Sequence, residues 1–117
     1  GGATYDASIL TIEHVLPQTV DSASEWAQTW PEEESRNYWI HRLGNLVPLN
    51  MRRNPSASNY DFKKKKEKYF KGNSNVTSYA LTSQVTTQDT WTEDDVKRRQ
   101  DDLLKVLFDE WNLAAEA

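Results

Sequence analysis

Two stretches of the sequence have strand character, "SILTIEHVL" and "NLVPLN", and proline punctuates both: Pro17 stops the first and Pro48 sits inside the second. Proline gives no ladder hydrogen bond, so Pro48 belongs to an edge strand or a bulge. The first strand is predicted over residues 8–13. Strands this short make a unit too thin to have a core of its own, so helices must dock onto it and supply one. The pattern around them is helical. "DSASEWAQTW" and "PEEESRNYWIHRL" predict two short helices, the second with Pro31 and three glutamates at its start and Gly44 just past its end. A longer helix is predicted from Pro55 to Lys71, with Phe62, Tyr69 and Phe70 inward and Gly72 closing it. "NVTSYALTSQV" predicts a further short helix. The last helix opens on a capping box, Thr92 with Asp95, and carries an apolar stripe of Val96, Leu103, Leu107 and Trp111 with Leu104 and Phe108 beside it. The fold class is therefore α+β and mainly helical. The five tryptophans could serve as stacking platforms for bases, but most read as core residues that dock the helices.

At 117 residues the chain is one domain, long enough to bury roughly two-thirds of the surface of its unfolded form. No apolar run approaches the roughly 18 residues of a membrane span, and the chain reads as a soluble, intracellular protein without membrane contact. With no cysteine, thiolate chemistry and disulfides are excluded, and any metal must be held by oxygen and imidazole nitrogen. The net charge of −4 is unevenly spread: residues 52–71 carry +6, leaving −10 for the rest. Arg52, Arg53, Lys63, Lys64, Lys65 and Lys66 dominate that segment. It reads either as a face for a phosphate backbone or as a solvated lysine-rich helix face.

Chemistry concentrates in three places. Glu13 and His14 end the first strand; Asn45 opens the second; Asn54 stands at the mouth of the following helix. Adjacent strand residues point to opposite faces, so Glu13 and His14 share a site only if the strand ends or turns there. Imidazole, with an ordinary pKa of about 6.5, is a competent base near neutral pH. One carboxylate and one amide oxygen would leave a hard cation most of its coordination sphere for water and phosphate. Each residue also has a plain structural reading: a surface Glu-His pair, turn chemistry at Gly44-Asn45, and an N-cap at Asn54 before Pro55.

Taken together, "IEHVLPQ", "HRLGNLVPLN", and Asn54 followed by "SASN" and "F..K" resemble the HNH nuclease domain at the C-terminal end of GmrSD-type, modification-dependent restriction enzymes. The downstream "LT" at 81–82, Trp91, Val96, Arg99, Leu103 and Trp111 continue the resemblance, which covers about residues 9–112. It implies a nuclease domain over residues 9–113, preceded by a lead-in over 1–8 whose Gly1-Gly2-Ala3 is set apart from the fold, and followed by a short tail over 114–117. It implies a small ββα-metal core clamping one divalent cation, Mg²⁺ first, with Mn²⁺ or Ni²⁺ as alternatives. In that scheme His14 is the general base and Asn45 holds its loop. Glu13 and Asn54 are the metal ligands, and Lys65 and the neighbouring basic residues meet DNA phosphates. Ser58 and Asn59 match the surroundings. His41, four residues before Asn45, reads as a helix-end residue rather than a catalytic one.

The implied function is nicking of double-stranded phage DNA in a prokaryotic cytoplasm. No Gly-x-x-x-x-Gly-Lys-Ser/Thr loop is present, so the nucleotide-hydrolysing sensor module of such a system would lie N-terminally or on a partner chain. The competing expectation is a catalytically silent DNA-binding module of the same shape.

Overall fold

The computed structural model describes residues 11–49, 54–70 and 80–111. Strand β1 (Thr11–His14) pairs antiparallel with β2 (Leu46–Leu49), setting Ile12 opposite Pro48 and His14 opposite Leu46. β1 runs one residue further than predicted, through His14; residues 8–10 lie outside the described set. Among the described residues the sheet has only these two strands, so Pro48 lies on an edge strand, as its missing N–H demands.

Helices α1 (Glu25–Thr29) and α2 (Glu33–Trp39) lie between the strands, and a 3₁₀ turn (Leu43–Asn45) leads into β2. The single helix expected over 55–71 is broken. Helix α3 (Pro55–Ser58) stops, and α4 (Phe62–Lys65) restarts the chain and runs into a π-helical turn over Lys66–Phe70. The break has identifiable causes. The Tyr60 carbonyl accepts the indole N–H of Trp26 at 2.8 Å, and Asp61 Oδ1 caps α1 through the Glu25 N–H at 3.1 Å. In a continuous helix the Tyr60 carbonyl would accept the Lys64 N–H; at the break it and the Asp61 carboxylate hold α1 instead. Gly72 and Lys71 lie outside the described residues.

Helix α5 (Ala80–Thr86) and helix α6 (Glu93–Trp111) complete the chain. The capping box at α6 forms as predicted: Asp95 Oδ2 accepts from the Thr92 N–H at 2.9 Å, and Thr92 Oγ1 accepts from the Asp95 N–H at 3.3 Å. Burial alone would raise the Asp95 pKa, but these bonds, the hydroxyls of Thr90 and Thr92, and nearby Arg98 together hold it below the usual value.

The apolar stripe of α6 is only partly used. Val96 is buried and Leu103 half-buried, whereas Leu104, Leu107 and Phe108 are exposed. The helix packs on the 3₁₀ turn through its first half and then outruns its partners among the described residues; the Trp111 side chain is not among them. Gly44 makes that packing possible, since a Cβ there would lie 2.5 Å from the Val96 carbonyl oxygen. Arg99 fastens the same packing: its guanidinium donates to the carbonyls of Leu43, Gly44, Leu46 and Leu81. Burial pulls its pKa down to about 10.

Trp26, Trp30, Trp39 and Trp91 are buried, with Val15, Leu16, Val47, Phe62, Tyr69 and Phe70 in the same core. All four indoles also dock elements by hydrogen bonding, Trp26 through the Tyr60 carbonyl. Trp30 donates to the Trp91 carbonyl at 2.7 Å, Trp39 to Glu93 Oε2 at 3.1 Å, and Trp91 to Asn45 Oδ1 at 3.0 Å.

Candidate active site

β1 breaks the ordinary strand rule. It exposes Ile12, at 54 %, and buries the carboxylate of Glu13, at 3 %. An acid turned inward beside an isoleucine turned outward is the reverse of what packing alone selects. Because β1 ends at His14, both residues line one cavity of about 210 Å³, together with Pro17, Gln18, Thr19, Pro55, Ser58 and Asn59. The strand end therefore satisfies the condition for sharing.

Asn45 is fully buried and acts as a clamp on the loop that follows β1. Its Oδ1 accepts from the Leu16 N–H at 2.8 Å and from Trp91. Its Nδ2 donates to the carbonyls of Leu16 at 3.1 Å and Ile40 at 2.9 Å. Its main-chain carbonyl takes the Val15 N–H at 2.9 Å. All four side-chain bonding positions of the amide are thus used, two of them on the residue two beyond His14.

Glu13 is held from three sides. Ser58 Oγ donates to Oε2 at 3.3 Å, the Tyr69 hydroxyl donates to Oε2 at 3.1 Å, and Lys65 Nζ stands 3.9 Å from Oε1. Burial and the Glu13 charge push the Tyr69 pKa up, against the Asn54 N–H that pulls it down, so the phenol stays a proton donor to the carboxylate. Sequence reasoning placed Tyr69 in the core and missed this use. The only available signal was a tyrosine, not a phenylalanine, at an inward position.

Lys65 is the largest departure from expectation. It is fully buried, and its ammonium donates to the carbonyls of Ser58 at 2.6 Å, His14 at 2.7 Å and Val15 at 3.0 Å. It therefore does not belong to a DNA-facing surface. A buried ammonium with three carbonyls and a carboxylate around it has no donor left for a phosphate outside. Lys66 also turns inward, donating to the Gln88 carbonyl and lying over the Phe62 ring. Lys63, Lys64 and Lys68 are exposed. Arg52 and Arg53 lie outside the described residues.

Asn54 caps α3, its Oδ1 accepting from the N–H groups of Ser56 at 3.1 Å and Ala57 at 3.3 Å. Its own N–H donates to the Tyr69 hydroxyl at 3.1 Å, so one phenol links Asn54 to Glu13. The Asn54 side chain is not among those lining the cavity. His41 does not cap its helix. It is exposed, and its Nδ1 lies 3.0 Å from His14 Nε2.

The walls of the cavity offer one carboxylate, one imidazole, two amides and hydroxyls. Among the described residues no group of three or more His, Asp or Glu gathers. That donor set fits a hard divalent cation held through few protein atoms and largely hydrated. It does not fit a tightly caged ion.

The fold and the site thus define a small α+β domain with a two-strand and helix core, whose strand end presents an acid and a histidine to a shared cavity. The family profile for the C-terminal domain of GmrSD restriction endonucleases matches residues 1–106, and the chain belongs to that family, a nuclease-type restriction enzyme domain. No curated protein sequence and no solved structure matches it.

Proposed function

We propose that the chain is a metal-dependent DNA endonuclease domain of the HNH type, the effector of a prokaryotic, cytoplasmic restriction system directed at phage DNA. The observation that carries the reading is Glu13 and His14 together on one cavity at the end of β1. His14 serves as general base, taking a proton from the water that attacks the phosphodiester. Glu13 holds the divalent cation, Mg²⁺ first, with Mn²⁺ or Ni²⁺ as substitutes. When bound, the cation supplies the counter-charge that the developing phosphate needs. Asn45 keeps the loop bearing His14 in place, and a nucleotide-hydrolysing sensor elsewhere licenses cleavage.

The test is nicking of supercoiled plasmid at low salt with Mg²⁺ or Mn²⁺, against an EDTA control. Metal-dependent nicking supports the reading. Salt-sensitive DNA binding that survives EDTA, with no nicking, would instead make the domain a silent DNA-binding module.

Asn54 is proposed as the second ligand, and its capping role gives a way to separate the two. Asn54→Ser keeps a cap and is expected to keep native stability while raising the Mg²⁺ concentration needed for half-maximal nicking. Asn54→Ala is expected to lose about 1 kcal/mol in urea unfolding as well. A serine variant with an unchanged metal requirement would leave Asn54 as a cap alone.

The exposed Lys63 and Lys64 are proposed to neutralise DNA phosphates. Their double replacement by glutamine is expected to reduce the slope of log Kd against log salt by about 1 to 2, roughly one for each phosphate no longer neutralised. An unchanged slope in a DNA-binding titration would put DNA on another face.

A further inference from the structure

His14 and His41 stand 27 residues apart in the chain, yet their rings meet edge to face with centroids 5.0 Å apart and Nε2 of one 3.0 Å from Nδ1 of the other. The pairing does not depend on the chance position of two surface side chains. Asn45 bonds to Leu16, two residues beyond His14, and to the Ile40 carbonyl, immediately before His41. One fully buried amide therefore sets the distance between the two segments that carry the histidines.

The two nitrogens of His14 have different surroundings. Nδ1 lies toward Gln18, whose Nε2 is 3.5 Å away, at the limit of a hydrogen bond, and Gln18 lines the cavity with Glu13. Nε2 lies toward His41, which does not line that cavity. Between two neutral imidazoles only one nitrogen of the pair that meets carries the proton. With the Gln18 amide as donor, His14 Nδ1 accepts, and Nε2 is the protonated nitrogen that donates to His41 Nδ1.

We infer that His41 is a positioning residue. By accepting the Nε2 proton of His14 it fixes the ring and its tautomer, and so keeps the basic Nδ1 directed at the cavity. The inference rests on the reading of His14 as the base. A neutral imidazole at a strand end samples both tautomers and several ring angles, and a base must be correct in both before it can take a proton. His41 removes that freedom from outside the cavity, without occupying space that DNA needs.

The experiment has two arms. In the first, the chain is labelled with ¹⁵N and its imidazoles are observed at a pH where both are neutral. With only two histidines in the sequence, each ring is assigned by comparison with one variant. The native chain is expected to show a ring-to-ring nuclear Overhauser effect and His14 as a single Nε2–H tautomer, and His41→Leu to show His14 as a mixture of tautomers. In the second arm, His41→Leu is expected to lower nicking at saturating plasmid about tenfold, with half-saturation unchanged. His41→Asn, whose amide oxygen replaces the Nδ1 acceptor, is expected to recover most of the loss. His14 nitrogen shifts that are the same in the native and His41→Leu chains, or a leucine variant that nicks at the native rate, would overturn the inference. Failure of the native chain to nick counts against the nuclease reading alone, because the tautomer arm does not use the reaction.

Discussion

The His14→Ala chain is expected to bind plasmid as the native chain does and to nick it at least about a hundredfold more slowly, the loss that follows removal of a general base. The structure explains why folding should survive. His14 is the last residue of an edge strand, half-buried, and its side chain meets His41 and Gln18 at the protein's rim. Its backbone pairs with β2 and its carbonyl accepts from Lys65, and both are kept in alanine. A thermal melt within a degree or two of the native one, beside the loss of nicking in the plasmid assay, is the expected pair of results. Nicking at the native rate would remove His14 from the chemistry. A chain that fails to fold would make His14 structural.

The architecture was legible where a local rule decides it. Pro48 pointed to an edge strand or a bulge and lies on an edge; the helix start at Thr92 and Asp95 and the inward positions Phe62, Tyr69 and Phe70 are found as their local patterns indicate. Errors came where a tertiary partner overrode the local rule. Nothing near Asn59 shows that Trp26, 34 residues from Tyr60, would hold the Tyr60 carbonyl at the break between α3 and α4. The apolar stripe on α6 is present in the sequence, but periodicity does not say how far along a helix its partners extend, and Leu104, Leu107 and Phe108 are exposed.

Within the site, the adjacency of Glu13 and His14 was readable from residue order, and the clamp at Asn45 followed from the family resemblance alone. The pairing of His41 with His14 was not readable, because it joins a strand end and a turn 27 residues apart and leaves no local pattern. Lys65 is a different case, since a signal was present. It lies three residues after Phe62 and four before Tyr69, on the apolar face of its helix, but it sits among three other lysines that share its composition and not its direction. Composition concealed what spacing would have separated.

Lys65→Met is accordingly expected to be among the most damaging substitutions in the described chain. Methionine matches the length of the lysine stem, so packing changes little and the loss isolates the ammonium. Three carbonyls, two at the end of β1 and one at the end of α3, would lose their common donor. Glu13 would be left buried without the ammonium beside it. Removing one partner of a buried pair costs about 3–5 kcal/mol, a large part of the roughly 5–15 kcal/mol that holds a domain of this kind. Urea unfolding checks this, with Lys63→Met as the control: that side chain is exposed, and its replacement is expected to change stability by no more than about 0.5 kcal/mol. Equal midpoints for the two variants would return Lys65 to the surface and to the phosphate role that the lysine run suggests. A selective loss at Lys65 has a consequence for the chemistry as well. The same ammonium ties the strand end carrying Glu13 and His14 to the helix that Asn54 caps, so strand, loop and helix reach the cavity as one unit whose geometry is set before any cation or DNA arrives.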